Sequence, residues 1–166
     1  QKILYWAERA NAPHYPSVGA PVAREFYARA VRTLDLAPVP MHEVHDHRVV
    51  LPGRTLTVRQ YVPVAHGWAE PQPALLYFHG GGFTIGSLET HDRLGRSLAF
   101  EGACHVYAVD YRLAPEHRFP AAVDDAFACL DWLLAQAGML GADPSRLAVG
   151  GDSAGGTLAA ACALHA

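Results

Sequence analysis

"LAVGGDSAGGTLAAACALHA", residues 147–166, decides how the whole chain is read. A short apolar run breaks at Gly151-Asp152-Ser153-Ala154-Gly155, and a stretch rich in alanine and glycine follows. Glycines two before and two after a serine are what a sharp strand-to-helix turn requires. The turn holds the serine in a left-handed conformation and brings the flanking residues so close that only hydrogen fits. Ser153 then sits at the N-terminus of a helix, where free N–H groups and the helix dipole favour the negative charge of an oxyanion. The same five residues also fit an ordinary tight turn in a glycine-rich chain. The surrounding segments must choose between the two.

Working outward, "RLAVGGD" (146–152), "HVYAVDY" (105–111) and "ALLYFHG" (74–80) are short apolar runs bounded by proline, glycine and polar residues, the pattern of buried strands. Helical patterns lie between them, over 90–101 with Thr90 as its cap and over 120–137 with Pro120 in its first turn. Alternating strands and helices predict an α/β fold with a parallel sheet covered by helices, because parallel strands need crossovers. Further upstream, "HEVHDHRVVLPGRTLTVRQYVP" (42–63) predicts a hairpin around Pro52-Gly53. Val22, Phe26, Ala30, Val31 and Leu34 predict an amphipathic helix over 22–36. The segment 62–74, rich in proline, reads as a surface loop.

A second glycine cluster supports the catalytic reading. In open α/β sheets reactive groups gather beyond the carboxyl ends of the strands, and "HGGGFTIG" (79–86) follows one such end. His-Gly-Gly-Gly is the loop that partners the serine elbow in lipases and esterases, its glycines letting backbone N–H groups approach a reacting carbonyl. The expected donors are the main-chain amides of Gly81, Gly82 and Ala154, with His79, Gly80, Gly151, Asp152 and Gly155 as the supporting residues of the two motifs. Neither a P-loop nor a dinucleotide glycine pattern is present, so phosphate cradling is not expected.

Composition removes other classes. The chain has 166 residues, enough for one domain, and a net charge of −3 with histidines neutral, which gives no footprint for nucleic acid. Cys104, Cys129 and Cys162 lie far apart and read as free thiols, not as a zinc site or a disulfide framework. No apolar run approaches the roughly 20 residues of a membrane span. His45 and His47 would share one face of a strand, as a metal pair would, but no third ligand stands at a fixed spacing, so exposed histidines are expected. His91, Asp92 and Arg93 are read as capping and packing groups. Free cysteines favour a cytoplasmic setting.

Three stretches together resemble the hormone-sensitive lipase family of carboxylesterases within the α/β-hydrolase fold: "HGGGF" (79–83), "DYRLAPEHRFPAA" (110–122) and "GDSAGG" (151–156). The resemblance implies Ser153 as nucleophile, an oxyanion hole at Gly81, Gly82 and Ala154, short- to medium-chain ester substrates, and neither metal nor cofactor. It implies that His79 shapes the glycine loop and is not the catalytic base. It also implies a mostly parallel sheet with helices on both faces and strand order 1-2-4-3-5. Residues 1–38 would form part of a cap and residues 39–166 the N-terminal half of the catalytic domain, truncated after strand 5 and the nucleophile helix. The 110–122 loop reads as structural, with Arg112 and Glu116 able to pair. In this fold the triad runs serine, acid, histidine along the chain. Only His165 follows Ser153, roughly 18 Å down the same helix at 1.5 Å per residue, beyond reach of the serine oxygen. The expectation is therefore an ester hydrolase whose acid and histidine lie outside these residues. The alternative is a receptor-like relative that keeps the pocket, lacks the histidine and binds a small molecule. Oligomeric state is not readable.

Overall fold

The computed structural model describes residues 17–34, 37–64 and 71–166. Of the expected cap segment 1–38, residues 1–16 and 35–36 lie outside the described residues, as do 65–70 of the proline-rich loop. In chain order the elements are α1 (Ala20–Leu34), β1 (Met41–Leu51), β2 (Arg54–Pro63), β3 (Gln72–Phe78), α2 (Asp92–Gly102), β4 (His105–Asp110), α3 (Ala121–Gln136), β5 (Ala142–Gly151) and α4 (Ala154–His165). Each predicted element is present, with its ends within four residues of those expected, as helix and strand ends commonly are.

The strands form one sheet in the order β1-β2-β4-β3-β5. β1 and β2 make the antiparallel hairpin, with Gly53 at φ 74° in its turn. β2 runs antiparallel to β4, while β3 is parallel to both β4 and β5. Among the described residues four of the five strands thus point one way and β2 is reversed. The parallel strands read as unbroken apolar runs because both their faces are covered. Leu76, Phe78, Tyr107 and Val109 turn to one face, where Ala126, Cys129, Leu130 and Leu133 of α3 and Leu158 and Cys162 of α4 pack. Tyr77, Val106 and Ala108 turn to the other, against Ala99 of α2. There the α2 backbone comes so near the Tyr61 ring that a Cβ on Gly95 would lie 2.6 Å from it.

One boundary differs from its expected chemistry. The cap position of α2 is His91, with no side-chain capping bond. Thr90 instead closes a reciprocal turn with Ser87: Thr90 Oγ1 accepts from the Ser87 amide at 2.9 Å, and Ser87 Oγ accepts from the Thr90 amide at 3.2 Å. Asp92, in the first turn, is drawn to Arg96 at 2.7 Å and to the Tyr61 hydroxyl at 3.2 Å.

Candidate active site

β5 ends at Gly151 and α4 starts at Ala154, so Asp152 and Ser153 make the entire turn. Ser153 has φ 52° and ψ −117°, a conformation that L residues avoid and that persists only where surrounding structure enforces it. The enforcement is steric. A Cβ on Gly151 would press on the Gly155 backbone and the Phe78 carbonyl, and one on Gly155 would overlap the Phe78 carbonyl. The ends of β3, β5 and α4 meet at these two glycines.

The loop after β3 is the second wall. Gly81, Gly82 and Phe83 run consecutively at φ 124°, 59° and 58°. The Thr84 and Ile85 amides both donate to the Gly81 carbonyl, at 3.0 and 2.9 Å. A Cβ on Gly81 would strike the Ile85 backbone, whereas one on Gly82 would meet nothing within 4 Å, so Gly82 is demanded by its φ alone. Among the described residues the amides of Gly81, Gly82 and Ala154 donate no hydrogen bond, and Ser153 Oγ has no partner.

A carboxylate joins the two walls. Asp152 Oδ1 accepts the Gly80 amide at 2.8 Å and the Tyr77 hydroxyl at 2.5 Å, and His91 Nε2 lies 3.7 Å away. Burial, helped by the bond to Asp152, pushes the Tyr77 phenol well above its ordinary pKa, so it stays a donor. His79 is buried and stacked between Tyr111 (centroids 4.4 Å apart, 18° between planes) and His91 (5.2 Å, 29°). Burial is the main cause that lowers its pKa to about 4, so the ring is neutral. With Nδ1–H donating to the Gly80 carbonyl at 2.8 Å, Nε2 is left without a partner among the described residues. Tyr111 donates its hydroxyl to the His79 carbonyl at 2.7 Å. Tyr77, His91 and Tyr111 were not legible as site residues: the first and last look like core aromatics, and no spacing links any of them to the serine.

The expected Arg112–Glu116 pair does not form. Arg112 instead forks onto Asp125 of α3, with contacts from 2.8 to 3.1 Å, and its own amide donates to the same carboxylate at 3.0 Å. Arg54 completes this node at 2.7 Å. Asp125 is fully buried, and a buried carboxylate without cations is costly, so it captures the arginines. Exposed Glu116 is left to Arg24 of α1, at 2.7 Å.

His165 stacks on Phe127 at 4.1 Å, at the opposite end of α4 from Ser153. His45 and His47 touch edge to face at 4.5 Å, and His47 meets Gln60 at 2.8 Å and the Trp132 ring. No cluster of His, Cys, Asp or Glu among the described residues could hold a metal ion. Nor is any described helix long and apolar enough to cross a membrane.

Residues 75–166 match a family described as alpha/beta hydrolase fold. The chain is 44% identical over 138 residues to esterase LipI of Mycobacterium tuberculosis (strain ATCC 25618 / H37Rv), which covers 81% of this chain and 43% of that protein. It is 53% identical over 107 residues to the ethyl acetate hydrolase of Pseudomonas putida, covering 64% and 34%. The structure resembles the hyperthermophilic esterase of the archaeon Pyrobaculum calidifontis with a TM-score of 0.91 and 39% identity, covering 99% of this chain and 51% of the other. The chain spans about half the length of these relatives or less. With both glycine walls inside the matched region, the chain belongs to the α/β-hydrolase fold family, among relatives that are carboxylesterases.

Proposed function

We propose that the protein hydrolyses carboxylic esters of short to medium acyl chain through an acyl-enzyme on Ser153. The observation that carries this reading is the conformation of Ser153, strained at φ 52° and with no hydrogen bond that would give its hydroxyl a structural task. Strain of this kind is retained where it serves a site. Ser153 Oγ attacks the acyl carbonyl, its proton passing to a general base. The oxyanion is received by the amides of Gly81, Gly82 and Ala154, whose hydrogen-bonding capacity is unspent. The alcohol departs with a proton returned from the base, and water then releases the acid. Base and orienting acid come from outside the described residues, since His165 is engaged with Phe127 about 18 Å along the helix. The ethyl acetate hydrolase relative supports the short-chain end of the range. Free Cys104, Cys129 and Cys162 support a reducing, cytoplasmic setting.

The test is made on the full-length protein with short-chain nitrophenyl esters and a fluorophosphonate probe. Ser153→Ala is expected to abolish labelling and lower kcat by at least about 10³-fold. Probe attachment that survives the substitution overturns Ser153 as the nucleophile, and a folded wild-type protein that binds esters without turnover overturns the reading in favour of a binding protein.

A further inference from the structure

Arg24 donates to groups on two loops that lie 60 and about 90 residues away in the chain. From α1 its Nε donates to the Thr84 carbonyl at 2.8 Å, and Nη2 donates to the Ala114 carbonyl at 2.8 Å. Nη1 and Nη2 also fork onto the Glu116 carboxylate at 2.9 and 2.7 Å. The two loops it reaches are themselves joined just beneath, where the Ala114 amide donates to the Phe83 carbonyl at 2.8 Å. Thr84 follows three consecutive residues at positive φ, of which Phe83 bears a side chain that disfavours that conformation. A backbone in such a state keeps its shape only when over-determined from outside.

Two roles can be weighed. As an ion pair on a half-exposed surface, Arg24–Glu116 adds little stability in water, because solvent screens it and two long side chains must be ordered. As a geometric clamp it is strong: the planar guanidinium presents fixed, divergent donors, and three acceptors from two loops satisfy them. Its effect should therefore fall on loop position and not on unfolding.

We propose that Arg24 is a positioning residue that makes the shape of the glycine loop at 81–84 depend on α1 being docked, so that this helix and the oxyanion hole are coupled through one side chain. The proposal rests on the esterase reading for its catalytic consequence, but its structural half stands apart. The three N–H donors of an ammonium radiate from one nitrogen and do not reproduce the spread of Nε, Nη1 and Nη2 over these acceptors, so Arg24→Lys should not restore the full clamp. Glu116→Gln leaves both carbonyl bonds in place.

The experiment uses the full-length protein and two readouts. Arg24→Met is expected to lower kcat about 10- to 100-fold with KM within about threefold, because a misplaced oxyanion donor acts in the transition state. Its melting temperature should fall only by on the order of 3 °C. Hydrogen exchange of the Thr84 and Ile85 amides, which donate to the Gly81 carbonyl, should accelerate at least about tenfold while that of β3 and β4 is unchanged. Arg24→Lys should show the same pattern at reduced size, and Glu116→Gln less than about a threefold change in kcat. Should Arg24→Met not fold, the lysine variant carries the test. Unchanged exchange of the Thr84 and Ile85 amides, or a change confined to KM, overturns the proposal. If wild-type protein neither turns over nor takes a fluorophosphonate, the esterase reading fails, while the exchange data still decide the coupling.

Discussion

Asp125 and Asp152 each hold a loop to a neighbouring element, yet by opposite means. Asp125 is fully buried on α3 and compensated by the Arg54 guanidinium from β2 and by the guanidinium and amide of Arg112 from the loop after β4. Asp152 is half exposed in the elbow, and its hydrogen bonds come from neutral groups, the Tyr77 hydroxyl and the Gly80 amide. The difference teaches where charge is tolerated near a proposed nucleophile. A guanidinium beside Ser153 would offer the developing oxyanion a mobile competitor to fixed amides. A phenol and an amide fix the loop while adding no positive charge. The remote node carries no such restriction and uses full ion pairs.

The comparison breaks most readily at Asp125. Asp125→Ala in the full-length protein leaves Arg54 and Arg112 facing a buried void, and a loss of about 3–5 kcal/mol in urea unfolding is expected. A loss below about 1 kcal/mol would show that the node is not a stabilising one.

Acid separates the two nodes next. His79, beside the Asp152 latch, has its pKa lowered to about 4, chiefly by burial. The unfolded chain takes up this proton near pH 6.5 while the folded chain resists until about pH 4. Stability present above pH 6.5 is therefore lost as pH falls through that window, on the order of 3 kcal/mol in all. Denaturant titrations at pH 7 and pH 4.5 measure it, and His79→Gln should flatten the difference. An equal slope in that variant would move the cause to another histidine.

Asp152→Asn keeps the shape but weakens two hydrogen bonds to a formal charge, for an expected 1–2 kcal/mol of stability, about. A larger proportional fall in kcat than in stability would mark the latch as one that positions the glycine loop. Tyr77→Phe removes one hydroxyl and leaves the Gly80 bond, so the expected cost is about 1 kcal/mol. If Tyr77→Phe costs more than Asp152→Asn, the phenol, and not the carboxylate, anchors the elbow.

The elements were legible because their signals are local. The unbroken apolar run along 105–109 and the helical spacing of 22–34 are direct consequences of a doubly covered strand and of helix geometry, and both elements form there. The candidate nucleophile was legible for the same reason: Gly151 and Gly155 are needed by contacts within one turn of Ser153 and with the strand beside it. The Arg112–Glu116 expectation failed because neighbours in a loop share no fixed geometry, and the buried Asp125 carboxylate takes the Arg112 guanidinium while Glu116 goes to Arg24.

The sequence by itself determined the strand–helix order, the hairpin, the serine elbow and the glycine loop, since each is dictated by sterics and periodicity over a few neighbouring residues. Only the tertiary structure decided which charges meet. Arg24 finds Glu116 across 92 residues, Arg54 finds Asp125 across 71, and Asp152 finds the Gly80 amide across 72. Such partners are selected by burial and by the cost of an uncompensated charge, quantities that exist only once the sheet has brought distant segments together.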